Sequence, residues 1–269
     1  MKLRIAYSKI GKIRFTGHRD VARVWERALR RAAVPVAVST GFTPRLKVAF
    51  GLALPTGAES LCEFLDVTLD GTLDGTLDGG YITDIAERLD QSLPTGMDII
   101  SVDELAAGGP SLQEDVSATT WLMAVDLGNI EEAIRRVNDA TNLPLERERK
   151  GESRTDDVRP GILRLDTARP ATLERVPVEW RVTVDAPLVE AVLTTSGRGI
   201  RPSELVEVLA PGRDPLDHLR RTLRINQLIE RDGTLFDVIE RRQPHERREH
   251  HLTGPDTDDL ERREPVRVV

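Results

Sequence analysis

Residues 2–7 alternate, with Leu3 and Ile5 on one side and Lys2, Arg4 and Ala6 on the other, as a half-buried strand does. Gly11 ends that pattern. From Asp20 the apolar period lengthens: Val21, Trp25, Ala28, Leu29 and Ala32 recur at steps of three and four, which predicts a helix that Pro35 stops just beyond Val34. Residues 36–38 and 46–54 read as strand pieces around Gly41-Phe42-Thr43-Pro44, and residues 64–69 as a further strand. The stretch 70–80, DGTLDGTLDGG, repeats Asp-Gly pairs that favour turns and reads as an expanded loop; it has no closing Glu to make a calcium loop. Residues 81–93 place Ile82, Ile85, Ala86 and Leu89 on one helical face, and residues 98–102 form a closing strand.

The order is therefore βαββαβ, the ferredoxin-like arrangement of two helices on one face of a four-stranded antiparallel sheet. Residues 106–118, with Gly108-Gly109-Pro110, read as a linker, and the order then recurs: strand 121–126, helix 130–141, strand 178–184 with Val178, Trp180, Val182 and Val184 on one face, helix 202–209, and closing strand 235–239. Residues 145–173 are charged and interrupted by Pro160 and Pro170, leaving the second strand of that unit undefined. The expected architecture is α+β: tandem ferredoxin-like units over 1–105 and 119–240, followed by a charged tail, 241–269, too poor in apolar residues to fold.

Charge changes this picture. The 269 residues carry a formal net charge of −7, which by itself argues against a polyanion partner, but the charge is divided sharply along the chain. Residues 1–60 hold 12 basic and 3 acidic side chains, and residues 61–118 hold 1 basic and 13 acidic. Exposed charges act over about 8 Å at physiological salt, so a local basic field can bind phosphates despite an acidic total. The single cysteine, Cys62, can close no internal disulfide and cannot supply the three or four thiolates of an iron–sulfur cluster. With no run of 18 apolar residues, and an N-terminus that alternates instead of presenting an apolar signal segment, the chain is expected to be cytoplasmic and to span no membrane.

The basic segment supplies the candidate binding residues. Arg19, Arg23, Arg27, Arg30 and Arg31 are spaced by one to four residues along the helix opposite its apolar face, and Arg14, Lys9, Lys12, Arg45 and Lys47 lie nearby in sequence. Guanidinium groups keep their charge and grip phosphate oxygens with several N–H donors, and Phe42 is suited to stack on an unpaired base. A solvated helix face, or a docking surface for the acidic segment, would also use such a stripe. His18, at the start of the helix, is a candidate ligand contact or general base, while Asp20 suits the first helical turn electrostatically. Arg147, Arg149, Lys150, Arg154 and Arg159 around Gly151 suggest a phosphate-binding hairpin whose charge Glu146, Glu148, Glu152, Asp156 and Asp157 nearly cancel.

Residues 14–20 (RFTGHRD), 26–32 (ERALRRA), 35–47 (PVAVSTGFTPRLK) and 54–60 (LPTGAES) together resemble the radical-SAM-linked, or radical-SAM-associated, protein family, and the likeness continues through 150–160 and 199–202. Gly17 stands where that family usually has Ser, while His18 and Asp20 match. The resemblance implies a partner: a separate radical-SAM protein that would hold S-adenosylmethionine, the iron–sulfur cluster and, in its cobalamin-binding region, cobalamin, with no cofactor in this chain. The expected function is a non-catalytic accessory that presents structured RNA to that enzyme through Arg14, His18, Arg19, Arg23, Arg27, Arg30, Arg31, Phe42, Arg45 and Lys47. Two alternatives stand beside it. One is a metal-independent endoribonuclease with His18 as general base and Lys47 or Arg45 stabilising the phosphorane; the other is a protein-only adaptor for the radical-SAM partner.

Overall fold

A computed structural model describes residues 1–71, 79–105, 111–149, 151–178, 180 and 185–239 of the chain. The repeated Asp-Gly stretch from 72 to 78, the first part of the expected linker from 106 to 110, and the tail from 240 onward lie outside the described residues.

The first half follows the order read from the sequence: β1 (Lys2–Lys9), α1 (His18–Arg31), β2 (Val48–Phe50), β3 (Glu59–Thr68), α2 (Gly79–Asp90) and β4 (Ile99–Leu105). Leu3, Ile5 and Tyr7 of β1 and Leu65 and Val67 of β3 pack against Val21, Trp25 and Leu29 of α1 and Ile85 and Leu89 of α2. Ala6, Cys62 and Phe64 face the other side, where Leu112, Val116 and Ile229 cover them. The two sides of the sheet are thus both buried here, as the alternation of side chains along β1 and β3 requires.

Residues 111–118, read as linker, instead begin the second half. Ser111 and Glu114 form a capping box on the short helix α3 (Leu112–Asp115), which leads directly into β5 (Val116–Val125). There follow α4 (Ile130–Asp139), the hairpin β6 (Pro144–Arg149) and β7 (Glu152–Asp157), β8 (Ile162–Thr167), α5 (Pro170–Glu174), β9 (Leu188–Thr194), α6 (Pro202–Leu209), α7 (Pro215–His218), β10 (Leu219–Arg231) and β11 (Thr234–Asp237).

Nine strands make one mostly antiparallel sheet in the order β4-β1-β3-β10-β5-β9-β8, with β2 also beside β3 and β11 beside β10; β6 and β7 form a separate two-stranded sheet. The strand β3 is shared along one edge: β10 pairs with it, in parallel, at Glu59 and Ser60, and β2 pairs with it, antiparallel, from Leu65 to Val67. The first half thus has the strand order β4-β1-β3-β2, and the second β10-β5-β9-β8, the same permutation of chain order. What joins the halves is the β3–β10 contact and the fully buried Glu59 beside it. Its Oε1 accepts from the Gly11 N–H (2.7 Å) and Arg221 Nη2 (2.9 Å), and its Oε2 from Arg221 Nε (2.6 Å) and Trp180 Nε1 (2.6 Å).

At its described positions, Val178 and Trp180, the expected strand 178–184 is corrected. Val178 and Trp180 lie in a helical turn in which the Trp180 N–H donates to the Pro177 carbonyl (3.0 Å). Val178 is exposed and Trp180 fully buried, so they do not share a strand face; Val182 and Val184 lie outside the described residues. That turn drops the Trp180 indole onto Glu59. No helix among the described residues is long and apolar enough to cross a membrane.

Candidate nucleic-acid interface

Helix α1 forms because its apolar positions fall on one side of a 3.6-residue repeat. Val21, Trp25, Ala28 and Leu29 are buried, and Tyr7 meets the Trp25 ring edge-on at 4.9 Å. At about 100° per residue, Arg19, Arg23, Arg27, Arg30 and Arg31 fall within about 120° on the opposite side, over about 18 Å of helix. All five are exposed. Arg23 pairs with Asp20 (2.9 Å) in a solvent-exposed contact that contributes little. Arg19, Arg27, Arg30 and Arg31 form no ion pair or side-chain hydrogen bond among the described residues, so no described carboxylate of the acidic segment pairs with them. Arg30 and Arg31 also sit in the last turn, where the helix dipole favours cations.

The other expected contacts are distributed differently. Arg14 belongs to a 3-10 turn (Gly11–Phe15), donates to the Gly11 carbonyl (3.2 Å) and stacks over the exposed Phe15 ring at 4.4 Å. Phe42 is fully exposed in the loop before Arg45. From Arg45 to Phe50 exposure alternates: Leu46, Val48 and Phe50 pack towards the core that holds α1, while Arg45, Lys47 and Ala49 turn to solvent on the other side. The fold therefore gathers the five helix arginines and turns Arg45 and Lys47 away from the core face on which α1 sits.

His18 opens α1, exposed, with its ring edge-on to Phe50 at 5.2 Å. It lies at the rim of a small pocket floored by Tyr7, Lys9, Glu63 and Phe64. Lys9 is buried and donates to the carbonyls of Thr16 (2.9 Å) and Arg14 (3.3 Å), holding the loop before α1; burial pushes its ammonium below the usual lysine range, against the pull of Glu63. Burial raises the Glu63 carboxyl, opposed chiefly by Arg224, whose Nη1 donates to Oε1 (3.0 Å). Arg224 also holds the carbonyls of Leu52 (3.1 Å) and Ala53 (2.8 Å). Lys47 does not line this pocket. Tyr7, Glu63 and Arg224 had no signal in the sequence, because the Glu63–Arg224 pair joins residues 161 positions apart.

The family described as "Uncharacterized protein conserved in bacteria (DUF2344)" matches residues 2–202. The chain belongs to that family. The matched stretch of this DUF2344 member runs from β1 to the first residue of α6 and contains every binding residue expected from the sequence, but not Arg224. No curated protein matches the chain. No group of three or more His, Cys, Asp or Glu side chains suited to a metal ion occurs among the described residues.

Proposed function

We propose that the chain is a cytoplasmic, non-catalytic RNA-binding accessory protein that presents structured RNA to a separate radical-SAM enzyme. The observation that carries the RNA-binding part is the α1 stripe: five exposed arginines on one helical face, four of them without a carboxylate partner among the described residues. A row of such charges about 18 Å long supplies phosphate contacts independent of base sequence. The enzyme partnership is supported by the resemblance carried by residues 14–60. It accords with the lone cysteine, which is buried against the sheet and leaves any iron–sulfur chemistry to another polypeptide. The shared strand order of the two halves supports their reading as tandem ferredoxin-like units.

The test is fluorescence anisotropy with a labelled RNA hairpin over a salt series. Affinity is expected to fall linearly on a log–log salt plot, and R27E/R31E to weaken binding by roughly tenfold or more and to reduce the slope by about 2. Binding that ignores salt, or that R27E/R31E leaves intact, refutes this mechanism.

A further inference from the structure

The hairpin β6–β7 stands apart from the main sheet, and an open cleft of about 1050 Å3 separates it from the loop of residues 194–200. Arg147, Arg154, Asp156, Ser196, Gly197 and Arg198 are among its lining residues. The loop's backbone comes close to itself: a Cβ at Gly199 would lie 2.9 Å from the Thr194 carbonyl oxygen, so only glycine fits without a shift, and Gly197 has φ +63°. The buried Arg147 pins this loop, donating to the carbonyls of Arg198 (3.3 Å) and Gly199 (2.9 Å) and to Glu204 (2.8 Å), with its Nε left unpartnered.

Three arginines and three carboxylates, Glu152, Asp156 and Asp157, line this cleft, and the arginines converge on one of the three. Asp156 faces three guanidinium groups: Arg198 at 2.6 Å, Arg154 at 3.5 Å and Arg147 at 3.6 Å. Only the Arg198 contact to it is a hydrogen bond, and the Arg154 side chain makes none among the described residues. A guanidinium offers five N–H donors, so most of those on Arg154 and Arg198 meet no protein acceptor among the described residues and face solvent. Of the neighbouring carboxylates, Asp157 accepts from the Leu143 and Arg159 N–H groups through Oδ1, and Glu204 from Arg147 and the Arg201 N–H through Oε2. Glu152, at the hairpin tip, is exposed.

We propose that this cleft is a phosphate-binding site, separate from the α1 stripe, in which Arg154 and Arg198 grip phosphoryl oxygens and Asp156 holds the two guanidinium groups in place while the site is empty. A phosphate group presents more acceptor oxygens than a carboxylate, and the planar forks of two arginines match it. The inference does not depend on RNA binding by α1. Its ligand is a phosphoryl group, either of a free polyphosphate or of an RNA strand.

Isothermal titration with inorganic pyrophosphate at constant ionic strength tests it. Wild-type protein is expected to bind saturably. Arg154→Ala, which removes a mostly exposed side chain and spares the fold, is expected to weaken binding by about tenfold, and R154A/R198A to abolish it. Asp156→Asn is expected to tighten binding several-fold by removing the competing charge. R27E/R31E is expected to bind pyrophosphate as wild type does, which separates this site from the helix. In that same variant, a ten-nucleotide single strand that displaces pyrophosphate identifies RNA phosphate as the source, and failure to displace it identifies a free polyphosphate. Pyrophosphate affinity equal in wild type, R154A and R154A/R198A, with melting temperatures matched in the absence of ligand, overturns the site. Unchanged or weaker binding by D156N overturns the role given to the carboxylate.

Discussion

Glu59 and Glu190 are carboxylates taken wholly out of water, and each survives because cations and neutral donors converge on it. Glu190 accepts from Arg169 (2.7 Å), Thr172 (2.5 Å) and Arg164. Burial alone would raise its carboxyl, but these hydrogen bonds and charges outweigh that and hold it below the usual glutamate range. A depressed folded-state value means that this contribution is present above the unfolded pKa, about 4.3, and is lost as pH falls through the folded one. Glu190→Gln is therefore expected to lower stability at pH 7 and to flatten its decline on the acid side, read from urea midpoints between pH 3 and 7. Glu59→Gln leaves Arg221 and the indole of Trp180 facing an amide, and is expected to cost about 3–5 kcal/mol by the same measurement.

At the level of elements, α1 was legible because everything that defines it is local: an apolar stripe, an arginine face, Asp20 in the first turn and Pro35 beyond the end. Trp25→Ala is expected to cost about 3–5 kcal/mol, since this fully buried ring is the centre of the packing between helix and sheet. The strand β10 was not legible. It runs between β3 and β5 and is buried on both faces, so it lacks simple alternation and carries Arg221, Arg224 and Gln227 inward. Those polar residues are tolerated because Glu59, Glu63 and the Cys62 carbonyl await them from the other half of the chain. A local signal did exist at its far end. Asp232-Gly233, with φ +51° and +75°, forms the two-residue turn into β11. Gly233→Ala is expected to destabilise by about 1–2 kcal/mol, read from the urea midpoint; the added methyl would sit in open space, so the cost comes from the left-handed backbone alone.

Across the whole molecule, the two halves share a sheet, and the ties between them pass through Glu59, Glu63 and β10. The element order of the first half was readable from hydrophobic period, and in the second half the first strand and the helices α4 and α6 were; the other strands of the second half and the joining of the halves were not, the joining because it rests on pairs about 160 positions apart. The candidate site divides along the same line: the α1 stripe is written in consecutive turns of one helix, while the turning away of Arg45 and Lys47 depends on the register of β2 against β3. Because the two cores are tied by buried charge and by main-chain pairing, they are expected to unfold in one cooperative step. Coincident urea transitions by far-UV circular dichroism and tryptophan fluorescence check this, since Trp25 reports one core, Trp121 the other and Trp180 the cluster at their joint.

The position of β10 has a consequence for truncation. It lies at residues 219–231, beyond the stretch that matches the family, yet it is wedged between β3 and β5. A protein ended after Pro202 would bare the main-chain donors and acceptors of β5 along its whole length and of β3 at its start. Such uncapped margins zip onto any extended peptide they meet, so the shortened protein would leave a sizing column as clustered material instead of a single sharp species.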